Sequence, residues 1–137
     1  MNFFTLLRVS VLSVGMLLVL GQSGCTGPYA GKPEMLRHPK ISVETYDLQQ
    51  NLYFGNPIVD PGTPDRAMRV TVSVRADQSY QVNIQYSFEF FDAMGRPLAS
   101  NMGWIRQQLA PGTQIYIEGA AMETKAVDWR LRVRSAI

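Results

Sequence analysis

The stretch YQVNIQYSFEFFDAMGRP, residues 80–97, decides the fold, because apolar and polar side chains alternate along it. Alternation with a period of two places every second side chain on one face of an extended strand, so the stretch predicts a β-strand followed by a turn. One face is polar, and the other is large and apolar and needs a second layer to cover it. We therefore predict the central strand of a β-sandwich. Its inward residues are Val82, Ile84, Tyr86, Phe88 and Phe90.

The same alternation recurs on both sides of this strand. Residues 67–75 and 127–133 each predict a strand with one apolar face, and the short link at residues 77–79 predicts that strand 67–75 forms an antiparallel hairpin with the central strand. Residues 41–48, 102–109 and 114–119 are the remaining strand candidates, and residues 120–126 form either a loop or one helical turn. The expected inward residues of the two flanking strands are Met68, Val70, Val72 and Val74, and Val127, Trp129, Leu131 and Val133.

Turn signals separate these strands. Residues 52–59 read as an irregular hydrophobic loop that either covers one end of the core or forms a binding edge, and residues 60–65 are rich in proline, glycine and aspartate. After the central strand, Gly95 is available for a positive φ, and we expect the Asp92 side chain to accept backbone N–H bonds. Together these features predict an all-β fold, an immunoglobulin-like antiparallel β-sandwich of six or seven strands.

The N-terminus has the features of an export signal. Residues 1–24 contain one charge, Arg8, and an apolar run at residues 9–20 that is shorter than the roughly 20 residues of a membrane span. Small residues then precede Cys25, the only cysteine of the chain, and this arrangement resembles the signal of bacterial lipoproteins. We predict that residues 1–24 are removed and that Cys25 is lipidated. An uncleaved anchor helix and secretion with a free thiol are the alternatives.

Residues 25–40 contain three prolines, two glycines besides the cysteine, and no sustained period, so they predict a flexible tether before a folded domain at residues 41–137. We expect His38, the only histidine, to be a solvated residue of this tether. Acyl chains on Cys25 would hold the protein on a membrane. Thr26 follows the cysteine where an aspartate would signal retention, which favours the outer membrane, with the domain facing the periplasm.

A family resemblance covers roughly residues 69–134. The segment YSFEFFDAMG at residues 86–95, then Trp104, the turn LAPG at residues 109–112 and the closing VDWRL at residues 127–131 resemble the YcfL-type family of small bacterial envelope lipoproteins. Phe91 is a departure from the pattern: a tyrosine or other aromatic residue is expected before the aspartate, so the aromatic class is kept but a hydroxyl is lost. The resemblance implies a β-sandwich on an outer-membrane anchor and no established biochemical activity.

The composition excludes several functions. A folded domain without cysteine, and with the only histidine in the tether, cannot build Ser-His-Asp or Cys-His catalysis or a nitrogen and sulfur zinc site. The carboxylates are expected in turns or on outward strand positions, so we predict no enzyme, no catalytic residue, no metal and no cofactor. A formal net charge of +2 gives no reason to propose nucleic acid as a partner.

Two sets of residues could still carry binding. If the last strand lies beside strand 67–75, five arginines would share one sheet face and could meet anionic lipid headgroups, phosphates or an acidic partner, although an ordinary solvated face is also consistent with the pattern. Two aromatic residues point away from the inward set and could contact a peptide or glycan. We predict a protein-interaction module with an envelope protein as partner. The alternative is a module that binds glycan or anionic headgroups. The candidate residues are Arg69, Arg75, Arg130, Arg132, Arg134, Phe91 and Tyr116.

Overall fold

Two β-sheets pack face to face in the computed structural model of this chain, which describes residues 38–99 and 103–137. These residues belong to one compact unit, Lys32–Ile137. No helix of the described residues is long and apolar enough to cross a membrane. The elements, in chain order, are β1 (Ile41–Val43), α1 (Tyr46–Asn51), β2 (Leu52–Phe54), β3 (Ile58–Asp60), β4 (Arg69–Ala76), β5 (Val82–Phe91), β6 (Ile105–Leu109), β7 (Gln114–Ala120) and β8 (Asp128–Ser135).

The first sheet, which we call the front sheet, has the strand order β1-β8-β5-β6. The second, the back sheet, is built on β4, which pairs with β7 along one edge and with the short strands β2 and β3 along the other. All pairs are antiparallel except β1 with β8, which is parallel. The sandwich predicted from the sequence is thus confirmed, with eight strands in the described residues.

The core lies between the two sheets and is built by the alternating apolar positions. Ile84 and Phe88 of β5 are 0% and 1% exposed, and the inward valines of β4 are fully buried. Val127 is the exception among the predicted inward residues: it precedes β8, is 57% exposed, and donates its backbone N–H to the Phe91 carbonyl. Ala120 ends β7, and residues 121–126 form a loop and not a helical turn.

The predicted hairpin between β4 and β5 is wrong, because the two strands lie in different sheets. Residues 77–81 carry the chain across the sandwich, and the N–H of Asp77 bonds to the Asn51 carbonyl at the end of α1. This arrangement lets the apolar faces of both strands line one core from opposite sides. A hairpin would place both faces on the same side of a single sheet.

The predicted strand at residues 41–48 ends at Val43. Continued alternation would direct Thr45 and Asp47 inward, whereas the chain turns into α1 and places Leu48 against the core. The expected hydrophobic loop at residues 52–59 contains β2 and the first two residues of β3. Its two ends differ, since Leu52 is buried in the core and Ile58 is 65% exposed.

Candidate functional site

The outer face of the front sheet gathers the arginines of β8. Alternation along β8 buries Leu131 and Val133 and turns Arg130, Arg132 and Arg134 outward, where they lie beside outward residues of β5. Arg132 is opposite Ser42 of β1 and Ser87 of β5. We call this surface the front face.

Aromatic rings hold these arginines in place. The guanidinium carbon of Arg134 lies 3.8 Å from the centre of the Trp104 ring, and that of Arg132 lies 5.2 Å from it. Arg134 Nε also donates a hydrogen bond to Gln85 Oε1 at 3.0 Å. At the other end of β8, the guanidinium carbon of Arg130 lies 5.6 Å from the centre of the Phe91 ring. Stacking of this kind orders long side chains that would otherwise move freely.

Arg132 is bridged by two carboxylates. Its Nε and Nη2 atoms reach Glu44 Oε1 at 2.7 and 2.6 Å, and its Nη1 atom reaches Glu89 Oε1 at 3.0 Å. The hydrogen bonds that Arg132 donates to Glu44 and then to Glu89 raise the pKa of its guanidinium. Two carboxylates against one guanidinium leave no positive charge at this central position.

The end of the front face near the N-terminus of β8 is also paired. Lys40 Nζ bonds to Asp128, and this hydrogen bond, with the backbone N–H of Trp129, lowers the pKa of the Asp128 carboxyl. His38 stacks on the Trp129 ring with centroids 5.6 Å apart, and its Nδ1 accepts the N–H of Lys40 at 3.2 Å. The prediction that His38 is a solvated tether residue is therefore wrong, because Trp129 offers its ring a flat apolar surface.

The turn after β5 closes this end of the face as the sequence predicted. Gly95 has φ of 75°, and Asp92 Oδ1 accepts the N–H groups of Met94 and Arg96 at 2.9 Å each. Asp92 Oδ2 also accepts Arg96 Nε at 2.9 Å. The hydrogen bond from the Arg96 backbone, followed by the contacts with its side chain and Met94, lowers the pKa of the Asp92 carboxyl.

This lowered pKa makes the turn's contribution to stability depend on pH. An unfolded aspartate loses its proton near pH 3.9, and folded Asp92 loses it at a lower pH. Ionised Asp92 therefore stabilises the fold above its unfolded pKa, and this stabilisation disappears as the pH falls through the folded pKa. We expect Asp92→Asn to lower the urea midpoint at neutral pH, and its gap to the parent protein to narrow at acid pH as Asp92 takes up its proton.

Asp65→Asn is the matched control, because Asp65 is exposed and has no ion pair with any described residue. This control is expected to leave the midpoint unchanged at both pH values. A gap between Asp92→Asn and the parent that is the same at neutral and acid pH would show that the carboxylate charge is not what stabilises the turn.

The back sheet carries the other candidate arginines, so the predicted cluster of five does not exist. Arg69 and Arg75 lie on β4, which does not border β8. Arg69 Nε is 3.4 Å from Glu118 Oε1, and the guanidinium carbon of Arg75 is 5.9 Å from the Tyr53 ring centre. Tyr116 lies on the same outer surface and is 65% exposed, as its alternation with Ile115 and Ile117 predicted. Phe91, the other aromatic candidate, is half-buried on the front face.

Sequence reasoning missed two residues of the front face, Trp104 and Arg106. Trp104 directly precedes β6, and Arg106 lies within it. Because Ile105 and Leu109 face inward, the strand period directs Trp104 and Arg106 outward. The alternation along β6 is the sequence signal that could have identified these two residues.

Cys25 lies outside the described residues. In residues 38–99 and 103–137, no group of three or more histidine, cysteine, aspartate or glutamate side chains is placed to hold a metal ion.

Comparison with known proteins places the chain. Residues 41–135 match the family described as "Protein of unknown function (DUF1425)". This chain belongs to the DUF1425 family. Among solved structures, the Shewanella sp. pv-4 member of DUF1425 superposes with a TM-score of 0.55 and 18% identity, over 63% of this chain and 79% of that chain. Campylobacter jejuni Cj0090 superposes with a TM-score of 0.60 and 16% identity, over 72% of this chain and 100% of that chain. At these identities the two structures support the fold alone. No curated protein matched the chain.

Proposed function

We propose that this chain is a membrane-anchored, non-enzymatic envelope lipoprotein that acts as a protein-interaction module. The anchor is an acylated Cys25 exposed by removal of residues 1–24, and a tether joins it to the sandwich. Its placement is the outer membrane, with the domain in the periplasm. Within DUF1425, the motifs at residues 86–95, 109–112 and 127–131 favour a YcfL-type relationship.

The ordered arginines and aromatic rings of the front face carry the proposal. Arginine and tryptophan are enriched among the residues that dominate protein–protein binding energy. Arg132 and Arg134 stack with Trp104 and are further held by Glu44, Glu89 and Gln85. Side chains that are already ordered lose less conformational entropy when a partner binds. A sheet face with ordered side chains of this kind is suited to binding the surface of another protein.

The charge balance favours a protein over an anionic membrane surface. The front face carries five basic side chains and three carboxylates, which gives a net charge of +2. Three of these eight charged groups form one ion-pair bridge, in which Arg132 contacts Glu44 and Glu89. Each unneutralised basic residue contributes about 1 kcal/mol to attraction by an anionic lipid surface. A face whose charges are largely balanced therefore gains little binding energy from such a surface. The basic residues are Lys40, Arg106, Arg130, Arg132 and Arg134, and the carboxylates are Glu44, Glu89 and Asp128.

Binding of glycan or anionic lipid headgroups is the second candidate function. It is favoured by Arg106, Arg130 and Arg134, which form no ion pair with any described carboxylate. An activity that needs free carboxylates is disfavoured, because Asp92, Glu89 and Asp128 are each held by basic or backbone partners.

The test is site-specific photo-crosslinking of the full-length protein in its native envelope. A photoreactive phenylalanine analogue replaces either Phe91 on the front face or Tyr116 on the back sheet, two aromatic positions on the outer surfaces of different sheets. We expect Phe91 to crosslink one defined protein, and Trp104→Ala to abolish the product, because Arg132 and Arg134 lose their stacking surface. The Tyr116 position should not yield that protein.

Three results would contradict the proposal: crosslinks to lipid alone, the same protein captured from both faces, or capture that persists in Trp104→Ala. The anchor is tested separately with Cys25→Ser, which we expect to move the protein from the membrane fraction to the soluble fraction. A Cys25→Ser protein that stays with the membrane would contradict acylation as the anchor and indicate an uncleaved helix.

A further inference from the structure

Positive charge is distributed unevenly along the front face. The centre and the end near Lys40 carry no net charge when taken together, because three basic residues stand against three carboxylates there. The basic residues are Lys40, Arg130 and Arg132, and the carboxylates are Asp128, Glu44 and Glu89. At the opposite end, Arg106 and Arg134 have no carboxylate within ion-pair distance among the described residues. The unneutralised charge of the face therefore concentrates at this end.

The two arginines lie in one row across three strands. Gln85 of β5 pairs with Arg106 of β6 on one side and with Arg134 of β8 on the other. Neighbouring strands are about 4.8 Å apart, so the two arginine backbones lie roughly 10 Å from each other. All three side chains line one groove of about 590 Å³, together with Glu44, Thr45, Ser135 and Ile137.

The row presents donors along its whole length. Arg134 uses its Nε for Gln85 Oε1, and its two terminal amino groups have no hydrogen-bond partner in the described part of the chain. The Gln85 amide nitrogen is likewise left to donate, because the amide oxygen accepts from Arg134. Glu44, the one acidic side chain that lines the groove, is held by Arg132 through two nitrogens. A ligand with separate carboxylates complements this set, since each guanidinium can bind a carboxylate in a bidentate manner.

Stacking on Trp104 fixes the position of Arg134. A guanidinium 3.8 Å from the ring centre and hydrogen-bonded to Gln85 cannot swing towards Arg106 without losing both contacts. Two arginines that stay apart are better matched by two anions than by one small one. In a polyproline II conformation the chain rises about 3.1 Å per residue with three residues per turn, so acidic residues at every third position lie on one side, about 9 Å apart, and match the spacing of the row.

We propose that the row Arg106–Gln85–Arg134 binds an acidic segment of the partner protein, with carboxylates spaced about three residues apart. This inference rests on the proposed interaction function and specifies the chemistry of the partner. The segment crosses β6, β5 and β8 in a polyproline II conformation, with one carboxylate on each arginine.

The probe is a fluorescently labelled synthetic peptide with repeats of Glu-Gly-Ser, and its matched control has glutamine in place of every glutamate. Binding to the full-length chain in a neutral detergent is followed by fluorescence anisotropy at physiological salt. We expect the glutamate peptide to bind and the glutamine peptide not to bind. Arg106→Gln and Arg134→Gln should each weaken binding about tenfold or more, the effect of losing hydrogen bonds to a charged group.

Arg69→Gln is the control for charge, because it removes one exposed arginine from the back sheet and should leave the affinity unchanged. Glycerol 3-phosphate, a soluble anion of the lipid headgroup type, should bind at least about tenfold more weakly than the peptide, since one phosphate meets only one arginine. The inference is overturned by equal binding of the glutamine peptide, by an equal loss in Arg69→Gln, or by glycerol phosphate that binds as well as the peptide.

The two proposals fail in different ways. A protein crosslinked at Phe91 together with no binding of the glutamate peptide would leave the interaction function standing and exclude an acidic segment at this row. Peptide binding with no crosslinked protein in the envelope would contradict the interaction function.

Discussion

We expect Phe88→Ala to lower the free energy of unfolding by about 3–5 kcal/mol, the usual cost of removing a buried phenylalanine ring. Phe88 is 1% exposed and stands at the middle of β5. Its ring centre lies 6.1 Å from that of Tyr86, 6.4 Å from that of Phe90 and 6.3 Å from that of Trp129. Removal of the ring leaves a cavity that both sheets border, and close-packed neighbours cannot collapse into it fully.

Urea unfolding measures this loss, and Phe91→Ala is its matched control. Phe91 is a phenylalanine of the same strand that faces outward, is half-buried and contacts Arg130. Its loss should cost about 1 kcal/mol, close to the value of an exposed cation–π contact. Similar losses for the two substitutions would mean that the inward and outward faces of β5 are not distinguished as the alternation requires.

The sequence predicts the faces of the long strands well, because those faces depend only on local alternation. The period along residues 80–91 correctly assigns Ile84 and Phe88 to the core, and the same argument turns Arg132 outward on β8. The Asp92 turn is also local, since a glycine at positive φ and an aspartate that caps nearby N–H groups act within a few residues. These features are confirmed.

Which strands lie side by side depends on contacts between distant residues, and there the sequence predictions fail. The link at residues 77–81 is short enough for a hairpin and long enough to cross the sandwich, and its own residues do not distinguish the two. The pairing of β8 with β5 separates its arginines from Arg69 and Arg75. The strand predicted at residues 41–48 fails for a related reason, because the burial of Leu48 against a distant core selects α1 over continued alternation.

The candidate site combines features that follow from local alternation with features that depend on strand pairing. The outward direction of Arg134 follows from the strand period, whereas its contact with Trp104 and its row with Arg106 require the register of three strands. The alternation of a single strand excludes a one-residue slip, but it neither identifies the neighbouring strand nor distinguishes registers that differ by two residues. A site assembled across β6, β5 and β8 therefore becomes visible only when the pairing is known.

The two sheets approach each other closely at Gly119, and substitution of this residue is therefore expected to cause the second large loss of stability. A Cβ atom at this position would lie 2.3 Å from Phe88 Cγ, 2.4 Å from its Cδ2 and 2.7 Å from its Cβ. The ring is packed on all sides and its Cβ is attached to the backbone of β5, so neither can move away easily. We expect Gly119→Ala to cost about 3 kcal/mol, the upper end of the usual range for added volume in a packed core.

Gly55→Ala is the matched control for Gly119→Ala, because its added methyl group makes a shorter contact that a side-chain rotation can relieve. Its Cβ would lie 2.1 Å from Ser73 Oγ, the end of a side chain that can rotate, so we expect a loss below about 1 kcal/mol. The double variant Phe88→Ala with Gly119→Ala tests the cause directly, because the new methyl group then enters space vacated by the ring. The combined loss should be smaller than the sum of the single losses by about 1 kcal/mol or more, as expected for residues in contact. Strictly additive losses would show that Gly119 is required for a reason other than its contact with the Phe88 ring.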